Sequence, residues 1–272
     1  MINSQNYSVY VVHYTKLKNR KTHLYNYFEK CNVQSEWITE KNYDLFRSTP
    51  ISEKDILGVS PKMLGMDLGV NSRSLVVSRQ KAKFQGYILF LRSYISHKNN
   101  LLTTGSLPIK KSLPKPQLEV QRMHMTALKR GIETNSRWIL ILEDDAIPTE
   151  GAFDLVNKII DDFKAVNTWI NLNSGAGLKR TKSDPTPDSF GLFQVTPAAT
   201  RCVTACLISR DLALKILELV DKHGLPEWLP IDFILQAALR KTKARAFWQE
   251  PVCFLQGSEE GYYKSSLEGK RG

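Results

Sequence analysis

Apolar positions along this chain recur with two periods. Ser8-Val-Tyr-Val-Val-His-Tyr14 is dense in β-branched and aromatic residues and predicts a first strand. From Lys18 to Cys31, the residues Leu24, Tyr27, Phe28 and Cys31 fall on one helical face, with Asn19 placed as the cap. Glu36-Trp-Ile-Thr39 predicts a short second strand, so the opening reads β-α-β, a parallel pair with a right-handed crossover. Helical spacing returns over Leu118 to Thr134, where Val120, Met123, Ala127, Leu128 and Ile132 share a face. It returns again over Thr149 to Lys164, through Phe153, Val156, Ile159, Ile160 and Phe163. Strands are expected at Thr168–Leu172, Phe190–Val195, Cys202–Ile208 and Ala244–Trp248. Two more helices are expected, Asp211–Lys222 capped by Ser209 and another from Pro230 to about Lys241. The alternation predicts a single α/β domain spanning 1–272, with a mixed, mainly parallel central sheet flanked by helices.

One stretch resists this reading. Between Asp44 and Gln117 turn residues (Pro50, Gly58, Pro61, Gly65, Gly69) surround an apolar piece, Gly86 to Ile95, that suits helix or strand equally. The Pro/Lys-rich run from Leu107 to Pro116 reads as a surface loop, a candidate lid or acceptor-facing segment.

The chemistry concentrates at Trp138-Ile-Leu-Ile-Leu-Glu-Asp-Asp145. Five apolar residues end in three consecutive carboxylates. Clustered carboxylates repel one another unless a cation or hydrogen-bond donors offset them. In open α/β sheets, ligands bind just beyond the carboxyl ends of strands. Alternation along a strand puts Glu143 and Asp145 on one side and Asp144 on the other. Asp145 and Glu143 are therefore the expected ligands for Mg2+ or Mn2+, which favour oxygen and leave positions open for phosphate and water. Glu143 or Asp144 can instead accept hydrogen bonds from a ribose or another sugar.

Charge adds an anionic partner to this picture. The net charge is +11 and the pI about 9.4, with basic clusters near Lys16–Lys21, Lys110–Lys115, Lys179–Lys182, Arg240–Arg245 and Lys264–Arg271. Nucleotide phosphates, an anionic membrane surface and nucleic acid all fit such an excess. The four cysteines lack paired spacing for zinc or redox chemistry and read as reduced, buried thiols. No run approaches the roughly 18 residues of a membrane helix, and the first residues lack signal-peptide order. The expectation is a cytoplasmic protein that can touch a membrane peripherally.

In order along the chain, these blocks resemble glycosyltransferase family 25, the lipooligosaccharide-biosynthesis and procollagen-galactosyltransferase group. The resemblance rests on Leu142-Glu-Asp-Asp145 after a helix bearing His124, and on the first strand followed by Lys16-Leu-Lys-Asn-Arg20. Thr204-Ala-Cys-Leu-Ile-Ser-Arg210 and Leu229-Pro-Ile-Asp-Phe233 extend it. Departures are Met123-His124 where the family has Ser-His, and the poorly matching 44–117.

The resemblance implies a GT-A fold, an acidic metal motif of DxD type, and transfer of a hexose such as galactose from UDP-sugar to a surface glycan or lipid-linked oligosaccharide. Arg20, or Lys16 and Lys18 beside it, would steady the diphosphate. Asp232, at a helix start where the dipole favours its ionised form, is the candidate base of an inverting transfer. His13, His124 and Asn173 are candidate donor contacts, with Asn171, Ser174, Gly175 and Gly177 on the same strand-end loop as Asn173. Many such enzymes complete their metal site with a C-terminal histidine. No histidine follows His223 here, and Gln256 or Ser258 stands as the substitute.

Two other classes compete. A basic nucleic-acid-binding protein fits the charge, but the chain has no helix-turn-helix, zinc or RNP-type motif, and its basic clusters are not interleaved with aromatics. A catalytically silent, glycosyltransferase-like binding subunit fits the same motifs without turnover.

Overall fold

The apolar strand before the acidic triplet is buried inside the central sheet of the molecule. A computed structural model describes residues 6–49, 57, 113–163, 166–175, 180, 184–195, 201–227 and 229–263. Its elements are β1 (Tyr7–His13), α1 (Lys18–Lys30), β2 (Glu36–Thr39), β3 (Ser48–Thr49), α2 (Lys115–Glu133), β4 (Trp138–Glu143), β5 (Ala146–Pro148) and α3 (Ala152–Asp162). They continue as β6 (Thr168–Asn171), β7 (Leu192–Val195), β8 (Ala205–Ser209), α4 (Arg210–His223), β9 (Leu225–Pro226), α5 (Ile231–Lys241), β10 (Arg245–Gln249) and β11 (Phe254–Gln256).

Seven strands form the central sheet in the order β2-β1-β4-β8-β6-β10-β7. The expected α/β class holds, with one correction. β1 pairs in parallel with β2 and β4, and β6 with β10, but β4–β8, β8–β6 and β10–β7 are antiparallel. The sheet is thus evenly mixed by pairing. Hydrophobicity marks a buried strand without marking its direction, so the reversal of β8 left no trace in the pattern.

Each strand feeds two cores because successive side chains face opposite ways. Ile139 and Ile141 join Met123, Leu128, Ile216 and Leu235 beneath α2, α4 and α5. Trp138, Leu140 and Leu142 join Leu24, Phe28, Phe153 and Val156 beneath α1 and α3. Burial on both faces explains the continuous apolar run of β4. Ser209 takes the N-cap position of α4 as expected, but its side chain makes no cap hydrogen bond and instead accepts from the Thr168 N–H at 2.9 Å. Asn19 likewise lies inside α1, whose cap residue is Leu17. The segment 44–117 is described only at 44–49, 57 and 113–117, so the Gly86–Ile95 piece and most of the Pro/Lys run lie outside the described residues.

Gly131 fixes how closely α2 approaches β4, since a Cβ there would lie 2.5 Å from Ile139 Cδ1. Gly131→Ala would gain about 1 kcal/mol of helix propensity but overpack the contact by about 1–3 kcal/mol. A net loss of about 1 kcal/mol is expected in urea denaturation; a stabilised variant would mean that Ile139 swings aside freely.

Among the described residues, no helix is long and apolar enough to cross a membrane. All four cysteines are free, and Cys206 and Cys253 are buried as expected. Cys31 is exposed and Cys202 half-buried, which corrects that expectation for two thiols.

Candidate functional site

β2 lies on one side of β1 and β4 on the other. The chain therefore reverses its direction of travel across the sheet between β1 and β4, which opens a crevice at their carboxyl ends. A cleft is found there, lined by Val12, His13, Tyr14, Arg20, Val120, Glu143, Asp144, Asp145, Gln256 and Ser258. Four of the sequence-predicted residues from the two strand ends, and Arg20 from α1, meet in it.

Asp144 is its anchor. The carboxylate is buried, with Arg20 Nη1 donating to Oδ1 at 2.8 Å and His13 Nδ1 lying 2.9 Å from Oδ2. The Tyr14 N–H also donates to Oδ2, at 3.2 Å. Asp144 thus points away from Glu143 and ties β4 to β1 and α1. Of the three basic candidates after β1, Arg20 is buried against this carboxylate, while Lys16 and Lys18 are exposed. The Tyr263 ring covers the Arg20 guanidinium, 5.0 Å from its carbon. α1 begins beside this group without a side-chain cap and without an acid in its first turn, so its positive dipole end is not neutralised locally.

Asp145 lies past the end of β4, in the turn before β5, so the alternation rule does not govern it. It is buried, and Ser258 Oγ donates to Oδ2 at 2.6 Å while Oδ1 has no protein partner. Burial, and then the nearby Glu143 carboxylate, pushes its pKa up to about 6. Ser258 arrives through an antiparallel ribbon in which β11 pairs with β5. The Gly257 N–H then donates to the Asp145 carbonyl at 2.8 Å. A side chain at 257 would put Cβ 2.9 Å from that carbonyl oxygen and 2.7 Å from Tyr263, so glycine permits the approach. Gln256, whose buried Oε1 has no partner, lines the same cleft.

Glu143 turns to the other face. His124 Nε2 lies 3.1 Å from its Oε1, and Thr204 Oγ1 reaches Oε2 at 3.5 Å. Asp232, in the first turn of α5, is close enough to feel both groups: burial and then Glu143 push its pKa up to about 6, and His124 opposes the rise. Asp232 Oδ1 and His124 Nδ1 are buried without partners. The fold therefore brings the proposed base to the acidic strand end, although 87 residues of sequence separate Asp145 from Asp232. Asn173 is placed differently. It is fully buried, its Nδ2 donates to the carbonyls of Ser174 and Arg201, and its Oδ1 accepts from the Ala205 N–H at 3.1 Å, which makes it a strut between β6 and β8. Gly177 lies outside the described residues.

Among the described residues, no three His, Cys, Asp or Glu side chains converge as a metal-binding group. The oxygen of Asp145 that lacks a partner, with the Gln256 and Ser258 oxygens beside the cleft, is nevertheless a donor set suited to a hard divalent cation. Sequence reasoning gave no role to Tyr14, which simply follows β1, to Thr204, quoted only as the start of a resembling block, or to Tyr263, for which no local signal exists.

No protein-family model matches the chain, and no curated protein matches it.

Proposed function

We propose that this chain is a nucleotide-sugar-dependent hexosyltransferase of GT-A type, related to glycosyltransferase family 25. One observation carries the reading: at the switch point of the sheet, Asp144 is locked to Arg20 and His13 while Asp145 keeps a buried oxygen without a partner. A purely structural acidic turn gains nothing from that second carboxylate, because desolvation disfavours it.

In this reading the diphosphate of a UDP-hexose lies over the start of α1, with Arg20 and the dipole offsetting its charge. Asp145, with the Gln256 and Ser258 oxygens, would hold Mn2+ or Mg2+, which supplies Lewis-acid stabilisation of the leaving diphosphate. Asp232 takes the proton from the attacking acceptor hydroxyl. That oxygen bonds to the anomeric carbon from the opposite side as the bond to the diphosphate oxygen breaks, so the configuration inverts. The acceptor class, a surface glycan or lipid-linked oligosaccharide, comes from the resemblance. The net charge of +11 supports peripheral contact with an anionic membrane.

The test is release of nucleotide diphosphate from individual UDP- and GDP-sugars with Mn2+. Release from one donor is expected, with Asp145→Ala lowering it by about 100-fold or more. No release and no thermal shift with any donor, alongside salt-sensitive binding to DNA or RNA, would overturn the reading in favour of a nucleic-acid-binding protein.

A further inference from the structure

The same sheet edge holds a second unexplained group. β4, β6 and β10 all end on it and β8 begins there, so Arg201, just before β8, lies at the β6–β10 end. Arg201 is 1% exposed, its guanidinium carbon is 3.8 Å from the centre of the Trp248 ring, and Nη2 pairs with Glu250. Its Nε and Nη1 have no hydrogen-bond partner. A buried donor left without an acceptor is expensive, and a charged one more so. Ser174 Oγ, also buried without a partner, is on the adjoining backbone: Asn173 Nδ2 bridges the Ser174 and Arg201 carbonyls.

The kind of ligand follows from what is missing. Burial lowers the Arg201 pKa, and Glu250, which balances the guanidinium charge, and Asp184 oppose that fall. The cluster lacks acceptor oxygens rather than negative charge. A hydroxyl both accepts and donates, so it suits Arg201 and Ser174 together, whereas an anion would add uncompensated charge beside two carboxylates.

The location points the same way. Trp248 is in register with Asn171, which shares its sheet face with Trp169, a member of the core beneath α2, α4 and α5. Glu143 shares that face through Ile139 and Ile141. Three strand spacings, roughly 14 Å, separate β4 from β10.

We infer that Arg201, Trp248 and Ser174 form a subsite for an uncharged saccharide unit of the acceptor, remote from the reacting hydroxyl; the acceptor role rests on the transferase reading. Intrinsic tryptophan fluorescence of the full chain, titrated with lactose, maltose, cellobiose and chitobiose, tests it. A saturable change with at least one disaccharide is expected, weakened about tenfold by Arg201→Gln and several-fold by Trp248→Phe. Should Arg201→Gln fail to fold by circular dichroism, Ser174→Ala in the same titration must weaken binding. Inorganic phosphate is expected to give no response. A phosphate response lost in Arg201→Gln, or no response to any disaccharide, overturns the subsite, the latter meaning that buried water fills it. A parallel UDP titration separates the two readings: UDP binding without saccharide binding removes the subsite alone. Saccharide binding without any nucleotide binding leaves the subsite standing and removes the transferase.

Discussion

Asp144→Ala should destabilise the protein by about 3–5 kcal/mol, because it removes one partner of a buried ion pair. Arg20 is 6% exposed at its side chain and cannot turn to water without unpacking the start of α1. The His13 ring and the Tyr14 N–H lose an acceptor in the same step. In a chain of this length the loss corresponds to a fall in Tm of roughly 5–9 °C. The double variant Arg20→Met, Asp144→Leu should recover much of it, since a buried pair removed whole costs far less than one partner removed alone. Nucleotide binding should be absent in both variants. A fall in Tm of less than roughly 2 °C for Asp144→Ala would show that the ion pair is a surface feature and not the clamp between β1 and β4.

Asp232→Asn should leave donor binding intact and lower transfer by about 10²–10⁴-fold, the range general-base catalysis supplies. Nucleotide affinity measured by calorimetry would separate a lost base from a misfolded site. The wild type should lose kcat/KM as pH falls through about 6, where Asp232 takes up its proton. Stability should move oppositely. The folded-state pKa lies above the ordinary value of 3.8, so the unfolded chain gives up this proton first. The penalty is complete above about pH 6 and vanishes below about pH 4. Asp232→Asn should therefore be more stable than wild type at pH 7, by about 3 kcal/mol, and no more stable at pH 4. Equal stability at both values would place the Asp232 carboxyl in water.

Much of the scaffold was legible because it rests on local periodicity. β2 falls where alternation put it, and α1, α2, α4 and α5 lie within a few residues of their expected bounds. The acidic tip of β4 was legible as a site because an apolar strand has no reason to end in three carboxylates. Strand alternation put Glu143 and Asp144 on opposite sides, as found, although Asp144 already lies in the turn after β4. It failed to describe Asp145, which lies beyond the strand. The partners were hidden: Arg20 was preferred to Lys16 and Lys18, but that it reaches Asp144 is set by the packing of α1 against β4. Ser258 reaches Asp145 through the pairing of two three-residue strands, too short to stand out in a sequence. Arg201 looks like any surface arginine until Trp248 and Glu250 are folded against it.

The ribbon of β5 and β11 sets an order of assembly. Asp145 and Ser258 are 113 residues apart. At about 5–20 residues per second, a ribosome makes the acidic turn roughly 6–20 s before the serine that closes over it. Through that interval Asp145 stays hydrated and ordinary in acidity, and β1, α1 and β4 can pack without bearing the cost of a dry carboxylate. The nascent chain thus closes over this carboxylate only after all seven strands of the central sheet have been made.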